Sequence, residues 1–213
     1  AVTAAKSLSF ENGLKLVSLR GELMQKAGTM NKGTMAAIVG LEYEKVKTAC
    51  EQAADAGVVQ PANFNSKDQI VISGAVEAVR KAMQISKELG AKIAKELVVS
   101  GAFHSPLMEP AKEGLNSALN ELAFNNAKFA VYANVSGKAT TDANDIRANL
   151  AKQITSPVLW LDTITNMTND GMELAIEVGP GKVIQGLVKK INPAIKMVGV
   201  DKFEDIETIH KSI

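Results

Sequence analysis

The chain has 213 residues, is 46% hydrophobic and only 4% aromatic, and carries 24 lysines and arginines against 23 aspartates and glutamates. That balance excludes a strong overall field toward nucleic acid or a membrane surface, and the longest apolar runs fall short of a bilayer's thickness. A lone cysteine, Cys50, excludes an internal disulfide, and with no signal-peptide pattern at the start the cytoplasm is the expected compartment.

The chain opens without methionine in the small-residue run "AVTAAKSLSF". Initiator removal before alanine and a longer parent chain both explain that. Residues 9 to 30 are predicted helical, capped by Ser9, with Phe10, Leu14, Val17, Gly21 and Met24 at helical spacing. Arg20 falls beside this stripe. There a guanidinium either pairs with a surface acid such as Glu22 or clamps a carboxylate, and spacing leaves both open.

From residue 33 the expected order is strand, helix, strand, strand, helix, strand. The segments are "GTMAAIVG", "EYEKVKTACEQAADAG", "VVQPANFNS", "DQIVISGA", "VEAVRKAMQISKELG" and "AKIAKELVV". This βαββαβ order is that of a ferredoxin-like module. RNA-recognition modules share it but stack bases on sheet aromatics, and "AAIVG" and "QIVISG" carry none, so nucleic acid is rejected as a partner. Cys50 shares a helix face with Val46 and Ala53 and is read as a small core residue.

Residues 101 to 213 alternate helix and strand. Helices are predicted near 106 to 122, 141 to 154 (begun by Asp142 or Asn144), 161 to 170 and 182 to 191, and strands at "KFAVYANV", "MELAIEVG" and "IKMVGV". A parallel sheet covered by helices is expected. "EVGPGKV" departs from the phosphate-binding loop pattern and is read as a tight turn with Pro180 near the first helical position.

"SGAFHSPLMEP" holds His104, placed in this reading just past a strand, where a general base commonly sits; position alone does not establish catalysis. His210 is expected at the surface, and two histidines so far apart from each other and from Cys50 give no metal site. Lys189 and Lys190 end a helix, where cations suit the macrodipole. An acidic partner would suit them equally.

Several stretches together resemble one family, the malonyl-CoA:acyl-carrier-protein transacylases and, more broadly, the acyltransferase domains of fatty-acid and polyketide synthases. They are "SFENGLKLVSLRGELMQ", "GTMAAIVGL", "NFNSKDQIVISG", "GAFHSPLM", "QITSPVLW" and "EVGPGKV", in the family's order over nearly the whole chain. The resemblance implies an α/β fold, with an α/β-hydrolase-like large domain, incomplete here, made of residues 1–32 and 101–213. A ferredoxin-like subdomain, residues 33–100, would be inserted into it.

The family's nucleophile is a serine in a "GHSLGE" elbow, and its "GQGSQ" segment helps form the oxyanion hole. Neither segment occurs in this sequence. The elbow's place in the family is immediately before the stretch matching "AVTAAKSLSF", so the resemblance implies the C-terminal part of a longer enzyme, partnered by a missing N-terminal segment.

Residue by residue, the resemblance makes His104 the general base, oriented by the carbonyl of Gln153, and Arg20 the holder of the malonyl carboxylate. Phe103 would select malonyl over methylmalonyl groups, and Met24, Asn63, Asn65 and Gln69 would line the substrate cleft. Lys189 and Lys190 would meet acyl carrier protein. The reaction implied is malonyl transfer from malonyl-CoA to the carrier's phosphopantetheine thiol through a malonyl-serine ester, for fatty-acid synthesis. Coenzyme A thioester is the substrate, and no metal or other cofactor is expected. An acyltransferase domain of a multifunctional synthase and a non-catalytic scaffold piece remain alternatives.

Overall fold

The structure is a computed structural model that describes residues 1–210, apart from the side chains of Thr208 and His210. The surface placement expected of His210 therefore lies outside the described residues. The chain begins with a turn that leads into α1 (Phe10–Met30), where the Ser9 hydroxyl accepts a hydrogen bond from the Asn12 N–H at 3.2 Å. That bond satisfies one of the four N–H groups a helix start leaves without partners.

β1 (Gly33–Val39), α2 (Tyr43–Gln52), β2 (Val59–Ser66), β3 (Gln69–Ala75), α3 (Val76–Glu88) and β4 (Ile93–Glu96) follow in order. The four strands form one sheet in the order β2-β3-β1-β4, and every neighbouring pair is antiparallel. Both of its faces are covered. Ala36, Ile38, Ile70 and Ile72 meet Val46 and Cys50 of α2 and Val79 and Ala82 of α3. Met35, Ala37, Val71 and Ala62 meet Leu97, Val99 and Phe103 on the opposite face. Burial on two sides is why these strands read as continuous apolar runs. Burial also pushes the Cys50 thiol up to about 12, as befits a core residue.

The second half differs from expectation in its sheet. After a short turn of helix at Pro106–Met108 come α4 (Glu109–Glu121), β5 (Val131–Ala133), β6 (Lys138–Thr140) and α5 (Ala143–Gln153). α6 (Trp160–Asn169), β7 (Leu174–Val178), α7 (Val183–Ile191), β8 (Lys196–Val200) and α8 (Asp205–His210) complete the described chain. Among the described strands only β7 and β8 pair in parallel, with one isolated parallel bridge between Asn63 and Val158, whereas β5 turns back and pairs antiparallel with the unforeseen β6. Gly137, at a φ of 66°, makes that reversal possible.

Two helix starts are resolved. Asp142 caps α5, its carboxylate accepting from the N–H groups of Asn144 and Asp145 at 2.8 and 2.9 Å. At α7 the Glu177 carboxylate accepts from the N–H groups of Ile184 and Gln185 at 3.0 and 3.2 Å, so the chain's own acid fills the place an anion would take. Pro180 lies ahead of the cap, Lys182, and not in the first turn.

Two of the contacts that bring the halves together fix their backbones. β2 borders the segment before α6, with Phe64 N–H bonded to the Val158 carbonyl at 2.9 Å and Val158 N–H to the Ala62 carbonyl at 2.8 Å. The end of α1 is fixed to the segment after β4, because Asn31 Nδ2 donates to the Leu107 carbonyl at 2.9 Å and Gly28 lies against the backbone of Ser100.

A methyl group on Gly28 would stand 2.5 Å from the Ser100 carbonyl oxygen, whereas one on the exposed Gly21 would meet nothing within 4 Å. Gly28→Ala is expected to cost about 1–3 kcal/mol through overpacking. Gly21→Ala is expected to stabilise α1 by about 0.5–1 kcal/mol. Urea unfolding followed by the fluorescence of Trp160, the single tryptophan, reads both changes.

Candidate active site

β4 ends at Glu96, so His104 does not stand at a strand end but eight residues on, in the loop that leads to α4. The loop is built from its own polar atoms. Ser105, fully buried, donates its hydroxyl to the Ala102 carbonyl at 2.6 Å and accepts from Leu107 N–H at 3.3 Å. His104 has a φ of 59°, a left-handed conformation. A residue with a Cβ pays about 1–2 kcal/mol for it, so the surroundings must hold it.

They hold it at both ends. The imidazole Nδ1 lies 3.0 Å from the carbonyl oxygen of Gln153, the last residue of α5, and the main-chain carbonyl of His104 accepts from Gln60 Nε2 at 3.1 Å. A carbonyl can only accept, so Nδ1 carries the proton and Nε2 of the neutral ring keeps its lone pair. Gln153 also closes its own turn, its side-chain amide donating to the carbonyls of Ser156 and Pro157 at 3.1 and 3.2 Å.

Arg20 is half-buried, and desolvation lowers its pKa. Among the described residues no carboxylate forms a salt bridge with it, and Glu22 instead takes a bond from the Ser18 hydroxyl. Of the two roles open to Arg20, the surface pair is therefore not formed. Arg20 and Gln153 both line a cavity of about 380 Å³ whose remaining wall is chiefly apolar, including Leu8, Leu16, Val17 and Leu115.

The imidazole and the guanidinium sense each other. Burial pushes the His104 pKa below its ordinary 6.5, the Gln153 carbonyl opposes that shift, the positive charge of Arg20 deepens it, and the Ser156 carbonyl opposes it again. The result is a neutral ring with a basic Nε2 beside a cation that has no acid partner among the described residues. Such a pair can accept a proton while holding an anionic group.

The other expected residues separate into three sets. Phe103 and Met24 pack on one cluster with Ala27, Met108 and Leu115, next to His104 and one turn from Arg20. Asn63 sits opposite Val71, and Gln69 lies two residues before Val71 on β3, so both share the sheet face that meets Phe103; Asn65 sits at a bulge of β2. None of these three hydrogen-bonds to His104 or Arg20 among the described residues. The residue of β2 that does reach His104 is Gln60, and no side-chain pattern announces it, because its acceptor is a backbone carbonyl.

Lys189 and Lys190 are exposed at the end of α7, away from this loop. Lys190 is close enough to Asp68, in the β2–β3 turn, to help lower its pKa. The main cause of that lowering is the Ser66 hydroxyl, 2.5 Å away, and Lys92 adds to it. Among the described residues no cluster of three histidine, cysteine or acidic side chains could hold a metal ion, and no helix is long and apolar enough to cross a membrane.

The acyl transferase domain family matches residues 1–200. A malonyl CoA-acyl carrier protein transacylase of Haemophilus influenzae is 41% identical over 211 residues, which span 99% of this chain and 68% of that protein. The crystal structure of an acyl carrier protein S-malonyltransferase from Vibrio cholerae superposes with a TM-score of 0.92 at 42% identity, covering 98% of this chain and 68% of that one. A holo complex of a type II PKS acyl-carrier protein with its malonyl-transacylase matches with a TM-score of 0.94 at 36% identity, covering all of this chain and 69% of the other. The chain belongs to the acyl transferase domain family.

The site has a pH signature. In unfolded chain a histidine titrates near 6.5, and His104 in the fold titrates lower. Between those two values the unfolded state binds more protons, so stability falls as pH drops from 6.5 to the folded midpoint and levels off below it. With only two histidines in the sequence, NMR titration of the ring signals should show His104 below 6.5, and His104→Gln should flatten the loss of stability in that window.

Proposed function

We propose that the chain carries the general base and the carboxylate-holding arginine of a malonyl-CoA:acyl-carrier-protein transacylase. The observation that carries the reading is the pairing of a neutral, Nδ1-protonated His104 with a half-buried Arg20 that has no acid among the described residues. In this reading Arg20 takes the free carboxylate of the malonyl group in a two-pronged hydrogen bond. Met24 and Phe103 bound the acyl end of the pocket, and Phe103 leaves little room for an α-methyl group.

The nucleophile that the family pattern requires is a serine outside these 213 residues. As its oxygen attacks the thioester carbonyl, its proton passes to Nε2 of His104; the carbon–sulfur bond breaks and the coenzyme A thiol leaves with that proton. The second half runs in reverse. The carrier's phosphopantetheine thiol gives its proton to Nε2, its sulfur attacks the malonyl-serine ester, and the serine oxygen recovers the proton on leaving. The backbone carbonyl of Gln153 fixes the ring's tautomer but stabilises the imidazolium less than a carboxylate would. A bound malonyl carboxylate would compensate in part, since neutralising Arg20 removes one cause of the depressed His104 pKa.

The division into residues 1–32 and 101–213 with an insert at 33–100 belongs to the same proposal, supported by the self-contained pairing of β1 to β4. So does contact of Lys189 and Lys190 with the acidic carrier. Asn63, Asn65 and Gln69 are proposed to line the cleft at a distance from the reacting atoms.

In protein expressed from its full reading frame with holo carrier protein, His104→Ala should lower malonyl transfer by about 10²- to 10⁴-fold, the usual contribution of a general base. Arg20→Ala should lose malonyl transfer while acetyl transfer survives relatively well, because leaving a buried charge without its partner costs roughly 3–5 kcal/mol. Mass spectrometry of malonyl- and acetyl-carrier product measures both. Unchanged acyl selectivity in Arg20→Ala would remove Arg20 from the site.

A further inference from the structure

Gln60 is the one side chain of the four-stranded sheet that hydrogen-bonds to the His104 backbone. It stands on β2, 44 residues before His104 in sequence, and its Nε2 donates to the His104 carbonyl at 3.1 Å. Its own backbone has little freedom. It pairs with Ser73 in the β2–β3 ladder, and Pro61 after it restricts it to extended conformations. The amide is thus aimed by a rigid element and not by a loop.

What it holds is the residue that most needs holding. His104 keeps a left-handed backbone although it is not glycine; among the described residues only Lys6 does likewise. On one side of that strained unit the ring is tied to Gln153, and on the other the carbonyl is tied to Gln60. Ser105 secures the next residue through Ala102 and Leu107, and Asn31 secures Leu107 from the end of α1. Removing the Gln60 donor frees the His104 carbonyl to rotate toward an ordinary conformation. Because the imidazole is carried on the same Cα, that rotation swings Nδ1 away from Gln153.

We infer that Gln60 is a positioning residue for the imidazole, acting through the His104 backbone to keep Nδ1 on the Gln153 carbonyl and Nε2 free. The inference rests on the reading of His104 as the base. It adds that the register of β2, and with it the seating of the four-stranded sheet against the segment before α6, sets which ring nitrogen carries the proton. Preorganised support of this kind separates a site of fixed geometry from one that is merely present.

The test is made on protein expressed from its full reading frame, with no acyl donor and with the His104 signal assigned by its absence in His104→Ala. In ¹⁵N-histidine-labelled wild-type protein the neutral His104 ring should be chiefly the Nδ1–H tautomer. Gln60→Met keeps the length and removes the donor, and Gln60→Glu is isosteric but only accepts when ionised. Both should lower the ratio of Nδ1–H to Nε2–H forms by about three- to tenfold, the effect of losing one ordinary hydrogen bond, and in Gln60→Met the His104 midpoint should move further below 6.5, because the Gln153 carbonyl is a contact that raises it. Should either variant fail to fold, Gln60→Asn, which keeps the amide but withdraws it by one methylene, carries the same expectation. A change in unfolding midpoint with the tautomer ratio and titration unmoved would overturn the inference and leave Gln60 a packing residue. Loss of the transacylase reading would show instead as unimpaired malonyl transfer in His104→Ala, a result that leaves the tautomer measurement standing.

Discussion

The contact between His104 Nδ1 and the Gln153 carbonyl, 3.0 Å long, is the interaction on which the rest of the site depends. It is available because α5 ends there. The last carbonyls of a helix have no partner within it, and the chain beyond Gln153 turns sharply enough for its own side-chain amide to reach the Ser156 and Pro157 carbonyls. Ile154, fully buried, anchors that turn in the same core that receives Met108 and Leu115 from the His104 side. The acceptor is thus a main-chain atom fixed by packing, not a charged side chain with freedom of its own. A carboxylate in its place would raise the imidazole's pKa. The carbonyl fixes the tautomer and lets burial and Arg20 keep the ring neutral.

Charge follows from the same arrangement. A guanidinium without an acid among the described residues is costly in a partly desolvated pocket, and so is protonation of the imidazole beside it. Both costs fall when an anionic group enters, because it pairs with Arg20 and makes the neighbouring ring easier to protonate. An uncharged acyl group does neither. In the proposed reaction, selection of the acyl group by Arg20 and activation of His104 as base are therefore linked through one electrostatic coupling, with no movement of the backbone required.

Much of this was legible in the sequence where side chains carry the signal. The helix over 9–30, the βαββαβ order, Cys50 in the core and Arg20 beside an apolar stripe all follow from periodicity, and the structure has α1 at Phe10–Met30 and Cys50 on the buried face of α2. The family resemblance named His104, Gln153 and Arg20 together, and the structure brings these three to one place. What periodicity could not carry was pairing. "KFAVYANV" and "MELAIEVG" look alike as strands, yet the first folds back on β6 through Gly137 and the second runs parallel to β8. Gln60 was equally silent, since a glutamine bonded to a backbone carbonyl leaves no complementary residue to notice. The strand-end position expected of His104 failed for a related reason: "ELVV" is apolar because Leu97 and Val99 cover a sheet face, not because the strand continues.

How the guanidinium finds its place depends on the far end of its helix. One face of α1 stays open, with Phe10 75% and Leu14 58% exposed, while Leu16, Leu23 and Met24 pack on the core around α4 and Ala27 and Gly28 are buried. The helix is therefore packed on α4 along much of its length and tied at its C-terminal end, where Gly28 touches the Ser100 backbone and Asn31 bonds to Leu107 on the His104 loop. From Gly28 back to Arg20 is eight residues, roughly 12 Å of helix. A tilt at the Gly28 contact grows along that lever, so the separation of guanidinium and imidazole depends on how closely two backbones approach there as well as on the packing of Leu16 and Leu23 against α4. A glycine at that crossing carries no chemistry of its own, yet it fixes the geometry in which the chemistry of Arg20 and His104 can meet.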